Sequence, residues 1–259
     1  MSAPIPTFID RGSGAPIIFL HGIGGNAGNW QPQVERLSAR FRCIAWNAPG
    51  YADSPALPEM TFPALADSLA RLMDHLQLEK AVICGLSMGG YVAQEFLALH
   101  PARVRAAILM CTSAAFGKPG GDFQQKFLAA RLKPMDEGRT PADIAPALVA
   151  GMVGPNAGPG VADALTESMS GISPATYRQA LNCLVTFDRR DAVKQITVPT
   201  CVIAGAEDTT APAAVMERMA GRIPGSRFHV IAGAGHIANL EAPEETCRLI
   251  TGFMEGLPE

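Results

Sequence analysis

Ser87, Asp208 and His236 are of the three residue types that together cleave acyl bonds. A serine hydroxyl is a weak nucleophile at neutral pH. It needs a base to take its proton, and the base needs an acid to orient it. Ser87 stands in GLSMGG (85–90), directly after the apolar run AVIC and at the head of the helical pattern MGGYVAQEFLALH. A nucleophile held on a sharp strand-to-helix turn needs that context, with small neighbours that let strand and helix approach. A glycine-rich turn without chemistry has the same composition, so the motif alone leaves both readings open.

The other two members come from later loops. His236 lies in GAGHIANLEAPEE, just past the strand-like run FHVIA. His75, in a helix pattern, His100, at a helix end before Pro101, and His229, inside a strand pattern, read as surface or structural residues. Asp208 follows the run TCVIAG, with Glu207 beside it as the weaker candidate, although an aspartate here also suits a turn or helix cap. What joins the three is placement. Each lies past a strand end, in the order Ser–Asp–His, and parallel strands bring those ends to one edge, where open α/β sheets bind ligands. LHGIGGNAGNW (20–30) adds a facing loop. The amide N–H groups of Ile23 and Met88 are then the candidate donors to a developing oxyanion. GIGG lacks both the G-x-G-x-x-G register and the Lys-Ser/Thr pair of a phosphate loop. His21 is expected to hydrogen-bond this loop rather than ionise.

These loops need a sheet to carry them. Short apolar runs at 7–10, 16–21, 42–46, 81–85, 106–111, 200–205 and 228–232 predict strands. Leu65, Leu69, Leu72 and Leu76 share one helical face, as do Ile250, Phe253, Met254 and Leu257. Strands bounded by helices predict a mostly parallel sheet, and strands without polar alternation predict cover on both faces. Residues 116–190 break the rhythm. They hold no strand run, but Thr140-Pro141 and Ser173-Pro174 are helix starts, so an insertion of about four short helices is expected. Its glycine-rich stretches 117–121 and 151–160 read as flexible.

Composition narrows the partners. Of 259 residues, 48% are hydrophobic and 17% charged, which suits a compact fold, and a net charge of −3 with no basic stripe argues against nucleic acid. Residues 144–162 carry no charge, yet three prolines and four glycines make a membrane span unsuitable. MSAPIPTFIDRGSG has no basic n-region or apolar h-region of a signal peptide. The six cysteines form no C-x-x-C pair and sit mostly in apolar runs, so reduced, buried thiols in a cytoplasmic protein are expected.

HG at 21–22, APGYADS at 48–54, GLSMGG at 85–90, GAED at 205–208 and GAGHIANLEAP at 233–243 stand together in one order. In this the chain resembles the α/β-hydrolase superfamily over essentially its whole length. Within it, the chain is similar to 3-oxoadipate enol-lactonases and small bacterial esterases with a helical cap. The resemblance implies a core of 1–115 and 191–259 with a cap at 116–190. It also implies Ser87 as nucleophile, His236 as base, Asp208 as orienting acid, and Ile23 and Met88 as oxyanion donors. Gly22, Gly24, Met152 and Ile237 complete the expected pocket. Leu148, Val149 and Val153 extend an apolar wall, and Arg131, Arg178, Arg189 and Arg190 compete for a substrate carboxylate with roles as solvated surface charge.

The implied activity is hydrolysis of a small carboxylic ester or (enol-)lactone through an acyl-enzyme. It would use no cofactor and no metal, in a monomer or homodimer. Cleavage of C–C bonds in ring-cleavage products, cofactor-free perhydrolysis and a non-catalytic receptor on the same fold are the alternatives. Asn47 and Ala52 depart from the family, which has aspartate and glycine there; that loop is structural. A serine nucleophile sets the chain apart from the aspartate-dependent dehalogenases and epoxide hydrolases.

Overall fold

The computed structural model describes residues 4–258. Residues 1–3, part of the stretch read above for a signal peptide, and Glu259 lie outside them. Seven strands form one sheet: β1 (Phe8–Arg11), β2 (Pro16–Leu20), β3 (Arg42–Trp46), β4 (Ala81–Leu86), β5 (Val104–Met110), β6 (Thr200–Gly205) and β7 (Arg227–Ile231). Their spatial order is β1-β3-β2-β4-β5-β6-β7. Only β1 runs antiparallel, against β3; the other pairs are parallel. Every strand-like run of the sequence is therefore a strand. The ends differ by one or two residues where the backbone leaves extended geometry: β5 stops at Met110 because Cys111 turns to φ +44°.

Among the described residues, ten α-helices accompany the sheet: α1 (Gln31–Leu37), α2 (Phe62–His75), α3 (Met88–Leu99), α4 (Asp122–Asp136), α5 (Pro141–Ala150), α6 (Val161–Ser170), α7 (Pro174–Leu184), α8 (Ala213–Ala220), α9 (Ala238–Glu241) and α10 (Pro243–Glu255). Successive strand side chains face opposite layers. Ile18 and Leu20 join the cluster holding Leu65, Leu69 and Leu72 of α2, Phe96 of α3 and Met216 of α8. Ile17 and Phe19 join Val34 of α1 with Ile250, Phe253 and Met254 of α10. Both faces are covered, which is why the central strands read as unbroken apolar runs.

Helices α4–α7 lie between β5 and β6. The Ser173 hydroxyl accepts the Thr176 N–H at 3.1 Å, and the Thr140 N–H donates to Asp143 at 2.7 Å, so both Ser/Thr-Pro pairs open helices. The two ends of this segment are tied together: Phe116 N–H donates to Phe187 O at 2.9 Å and Arg189 N–H to Ala114 O at 2.7 Å. Arg189 also forks the buried Glu95 of α3 at 2.7 and 2.5 Å. The uncharged stretch 144–162 is divided between α5, a run of turns and α6. No helix of the described residues is long and apolar enough to cross a membrane. All six cysteines are buried and unbonded.

The crossing of α3 over β4 sets the tightest constraint. A Cβ on Gly85 would collide with the Gly89 carbonyl, and a Cβ on Gly89 with the carbonyls of Leu20 and His21. Backbone cannot yield there as a side chain would. Gly89→Ala is expected to lower the free energy of unfolding in urea by about 3 kcal/mol. A loss under about 1 kcal/mol would show that α3 can pivot away from β2.

Candidate active site

Ser87 occupies the single residue between β4 and α3, at φ +55° and ψ −119°. For a serine this backbone conformation costs about 1–3 kcal/mol and needs surroundings that impose it. Three hydrogen bonds do so. Ser87 N–H donates to Met110 O at 2.9 Å, and its carbonyl accepts the Gly90 N–H and the Thr112 hydroxyl, each at 2.9 Å. The strand thus ends at a fixed height and the side chain projects from the sheet edge.

His236 meets Ser87 there. Its Nε2 lies 2.9 Å from Ser87 Oγ, and its Nδ1 lies 2.8 Å from Asp208 Oδ2. His236 and Asp208 are 3% and 4% exposed, so neither contact competes with bulk water. Asp208 Oδ1 is occupied by the N–H groups of Thr210 and Ala211 at 2.8 and 2.9 Å, which leaves Oδ2 to the imidazole. A carboxylate acceptor fixes the proton on Nδ1. Nε2 is then the acceptor and the serine hydroxyl the donor. Glu207, the neighbouring candidate, is exposed.

Burial pushes the Asp208 carboxyl up. The hydrogen bond and charge of His236, with the two amides, outweigh it and hold the group below its ordinary value. In His21 burial acts in the opposite sense: desolvation lowers its pKa to about 4 against an upward contribution from its bond to Gly22. Its Nδ1–H donates to Gly22 O at 2.8 Å and its Nε2 accepts the Ala48 N–H at 3.0 Å, so the ring is a neutral brace, as its position in the loop predicts. Tyr51 adds a second brace by donating to Ile23 O at 3.0 Å.

With the carbonyls of this loop held, its amides are free to face inward. Among the described residues, the N–H groups of Ile23 and Met88 have no intramolecular acceptor. Gly22, Ile23, Gly24, Met152 and Ile237 line one cavity with Ser87 and His236. Leu148 and Val149 line it too, whereas Val153 does not, and the Met88 side chain packs into the core. The cavity volume is about 120 Å³. His75, His100 and His229 lie elsewhere, and His100 pairs with Asp67 at 3.1 Å.

Glu241 was not singled out by the sequence. Its Oε2 accepts the N–H groups of Gly154 and Gly235, both at 2.8 Å, and its Oε1 accepts the Ile237 N–H at 3.0 Å. His236 N–H in turn donates to Met152 O at 2.8 Å. One carboxylate therefore holds both sides of the histidine and the segment after α5. The available signal was an acidic residue in the first turn of a short helix, reaching back to amides ahead of it. It was hidden among the acids of EAPEE that open α10.

A family model for the alpha/beta hydrolase fold matches residues 15–243. The chain belongs to the α/β-hydrolase fold family. Among curated relatives, a 3-oxoadipate enol-lactonase of Acinetobacter baylyi is 27% identical over 93% of this chain and 89% of its own. Among solved structures, a thermophilic esterase from Thermogutta terrifontis superposes with a TM-score of 0.90 at 30% identity, covering 97% of this chain and 93% of that one. The enol-lactonase of Burkholderia xenovorans superposes at 0.86 with 26% identity, covering 96% of each. Of the hydrolase motifs, the two departures keep structural work. Asn47 Oδ1 accepts the Ala27 N–H at 2.8 Å and its Nδ2 donates to Thr7 Oγ1 at 2.9 Å. Ala52 takes φ +46°, the conformation that suits the family's glycine.

The depressed carboxyl of Asp208 links to stability. Its folded pKa lies below the unfolded value of about 3.9, so its contribution is present above that value and is lost as pH falls through the folded one. The gap in urea unfolding free energy between wild type and Asp208→Asn should therefore narrow as pH drops below about 4. A gap unchanged down to pH 3 would contradict the assignment.

Proposed function

We propose that this chain is a serine hydrolase of small carboxylic esters or lactones, acting through an acyl-enzyme. The reading rests on one observation: Ser87 Oγ, His236 and Asp208 form a continuous hydrogen-bonded line, at 2.9 and 2.8 Å, on the wall of a largely apolar cavity. The esterase and lactonase relatives support the same chemistry.

The steps follow from the atoms in place. His236 Nε2 takes the Ser87 proton as Oγ attacks the substrate carbonyl carbon. The carbonyl oxygen becomes an oxyanion between the N–H groups of Ile23 and Met88, preorganised donors that stabilise the transition state by several kcal/mol. Asp208 holds the imidazole in the right tautomer and stabilises the cation it becomes. The tetrahedral species collapses, and the leaving alcohol takes the proton from Nε2. Water then attacks the acyl-serine with His236 as base again, and the acid departs as Oγ recovers its proton.

Helices α4–α7 act in this reading as a cap over the cavity. Leu148, Val149, Met152, Leu165 and Met169 supply an apolar ceiling that limits water around the acyl group. In this reading residues 116–190 form that cap, and the described parts of 1–115 and 191–259 the hydrolase core.

Ser87→Ala and His236→Ala should each lower turnover of a short p-nitrophenyl ester by at least about 10⁴-fold, and Asp208→Asn by somewhat less. Near-wild-type turnover by Ser87→Ala would overturn the reading. Glu241 acts only through the histidine loop. Glu241→Gln replaces one acceptor oxygen with a donor and breaks the three-amide clasp. It is expected to lower kcat by up to about 10²-fold with KM within a few-fold. Loss of folding without that split would mark a purely structural role.

A further inference from the structure

The turn that carries the Ile23 N–H has each of its carbonyls held, and the donors come from two different parts of the fold. It runs from Gly22 to Gly25 and is closed by Gly25 N–H on Gly22 O at 3.0 Å. Gly22 O also accepts from the His21 ring at 2.8 Å, and Ile23 O from the Tyr51 hydroxyl at 3.0 Å; these donors sit on loops after β2 and β3. Gly24 O accepts from the Ser168 hydroxyl at 3.1 Å, and Ser168 lies on α6. Among the described residues, Ser168 is the one side chain of 116–190 that hydrogen-bonds to residues 20–30.

Three glycines, at 22, 24 and 25, leave this turn soft. A soft peptide plane keeps its orientation only where its carbonyl is anchored, and a group misplaced by about 1 Å costs about 10²-fold in rate. The Ser168 hydroxyl is buried and offers its proton to two acceptors, Gly24 O and, at 3.0 Å, Asn29 Oδ1. Asn29 Oδ1 also accepts the Asn26 N–H at 2.8 Å, which closes the far side of the same loop. The Asn29 carbonyl accepts from Nδ2 of Asn239, three residues beyond His236, at 2.8 Å. One hydroxyl of α6 therefore stands where the donor loop and the histidine segment meet. A Cβ on Gly24 would lie 3.7 Å from Met169 Sδ, so α6 rests directly on the turn.

We propose that Ser168 is a positioning residue of the oxyanion site: it anchors Gly24 O so that the Ile23 N–H keeps its aim, and the site is complete only while α6 is seated. The inference rests on the hydrolase reading but can fail separately. Ser168 touches no reacting atom and acts through the turn alone.

The test compares a short straight-chain trifluoromethyl ketone with the methyl ketone of the same chain. Ser87 Oγ bonds to the activated carbonyl carbon of the first, its proton passes to His236 Nε2, and the carbonyl π pair becomes an oxyanion facing the Ile23 and Met88 N–H groups. The methyl ketone fills the same cavity without forming that charge. Ser168→Ala should weaken the trifluoromethyl ketone at least tenfold and leave the methyl ketone within about twofold. For a short p-nitrophenyl ester, kcat should fall about tenfold with KM within about twofold. The pH profile of kcat should stay in place, because His236 keeps both its partners. Ser168→Thr should recover most of the loss, and Ser168→Val, of the same shape without the hydroxyl, none of it. This pair decides by the same ratio if Ser168→Ala does not fold. Ser170→Ala is the control, since Ser170 Oγ donates to Thr166 O of its own helix at 2.6 Å and should leave every value unmoved. Equal weakening of both ketones, no change in either, or the same loss in Ser170→Ala overturns the proposal. Equal affinity of the trifluoromethyl ketone for wild type and Ser87→Ala removes the hydrolase reading instead, and the inference with it.

Discussion

A serine at φ +55° survives only where the strand before it and the helix after it are clamped from outside. Here the clamp is the near-contact of backbone between Gly85 and Gly89, and between Gly89 and the end of β2. No side chain fits in either gap. The same contact brings the loop after β2 against the start of α3, so the candidate oxyanion donors and the candidate nucleophile are set by one crossing. The rest of the site is arranged against that fixed point: Met110 and Thr112 from β5 and the turn beyond it, Asp208 beyond β6 and His236 beyond β7.

The parts legible in the sequence are those written by local rules. Apolar runs marked all seven strands, unbroken in the central ones because both sheet faces are covered there, and the loss of such runs after Phe116 marked α4–α7. Ser87, Asp208 and His236 were legible because each follows a strand, and parallel topology collects strand ends. Glu241 was not, because its partner Gly154 lies 87 residues away and no local pattern predicts that meeting. Nor could spacing choose among the four arginines. Arg178 and Arg189 are distinguished from Arg131 by partners that only the folded chain supplies, Asp136 on α4 and Glu95 on α3, and Arg190 by its sequence neighbour Asp188. The wall residue Val153 shows the limit of periodicity: the chain leaves α5 in turns, and side-chain direction there no longer follows 3.6 residues per turn.

Around Ser87 the buried titratable groups meet partners that fix their state. His21 is neutral because its two nitrogens are already committed, one as donor and one as acceptor. Asp208 is ionised because three donors converge on it. Arg131 differs: it lines the cavity with its guanidinium over the Phe127 ring and, among the described residues, has no carboxylate partner.

The bond from His236 N–H to Met152 O, with the clasp of Glu241 on Gly154, has a consequence for how this scaffold can change. Helices α4–α7 are not an interchangeable part. Any segment exchanged between a relative and this chain must return a carbonyl and an amide to the same two places, or the imidazole loses its register. Variation is therefore cheapest at α4 and at the turns around Gly158, which touch neither group, and most constrained at the end of α5.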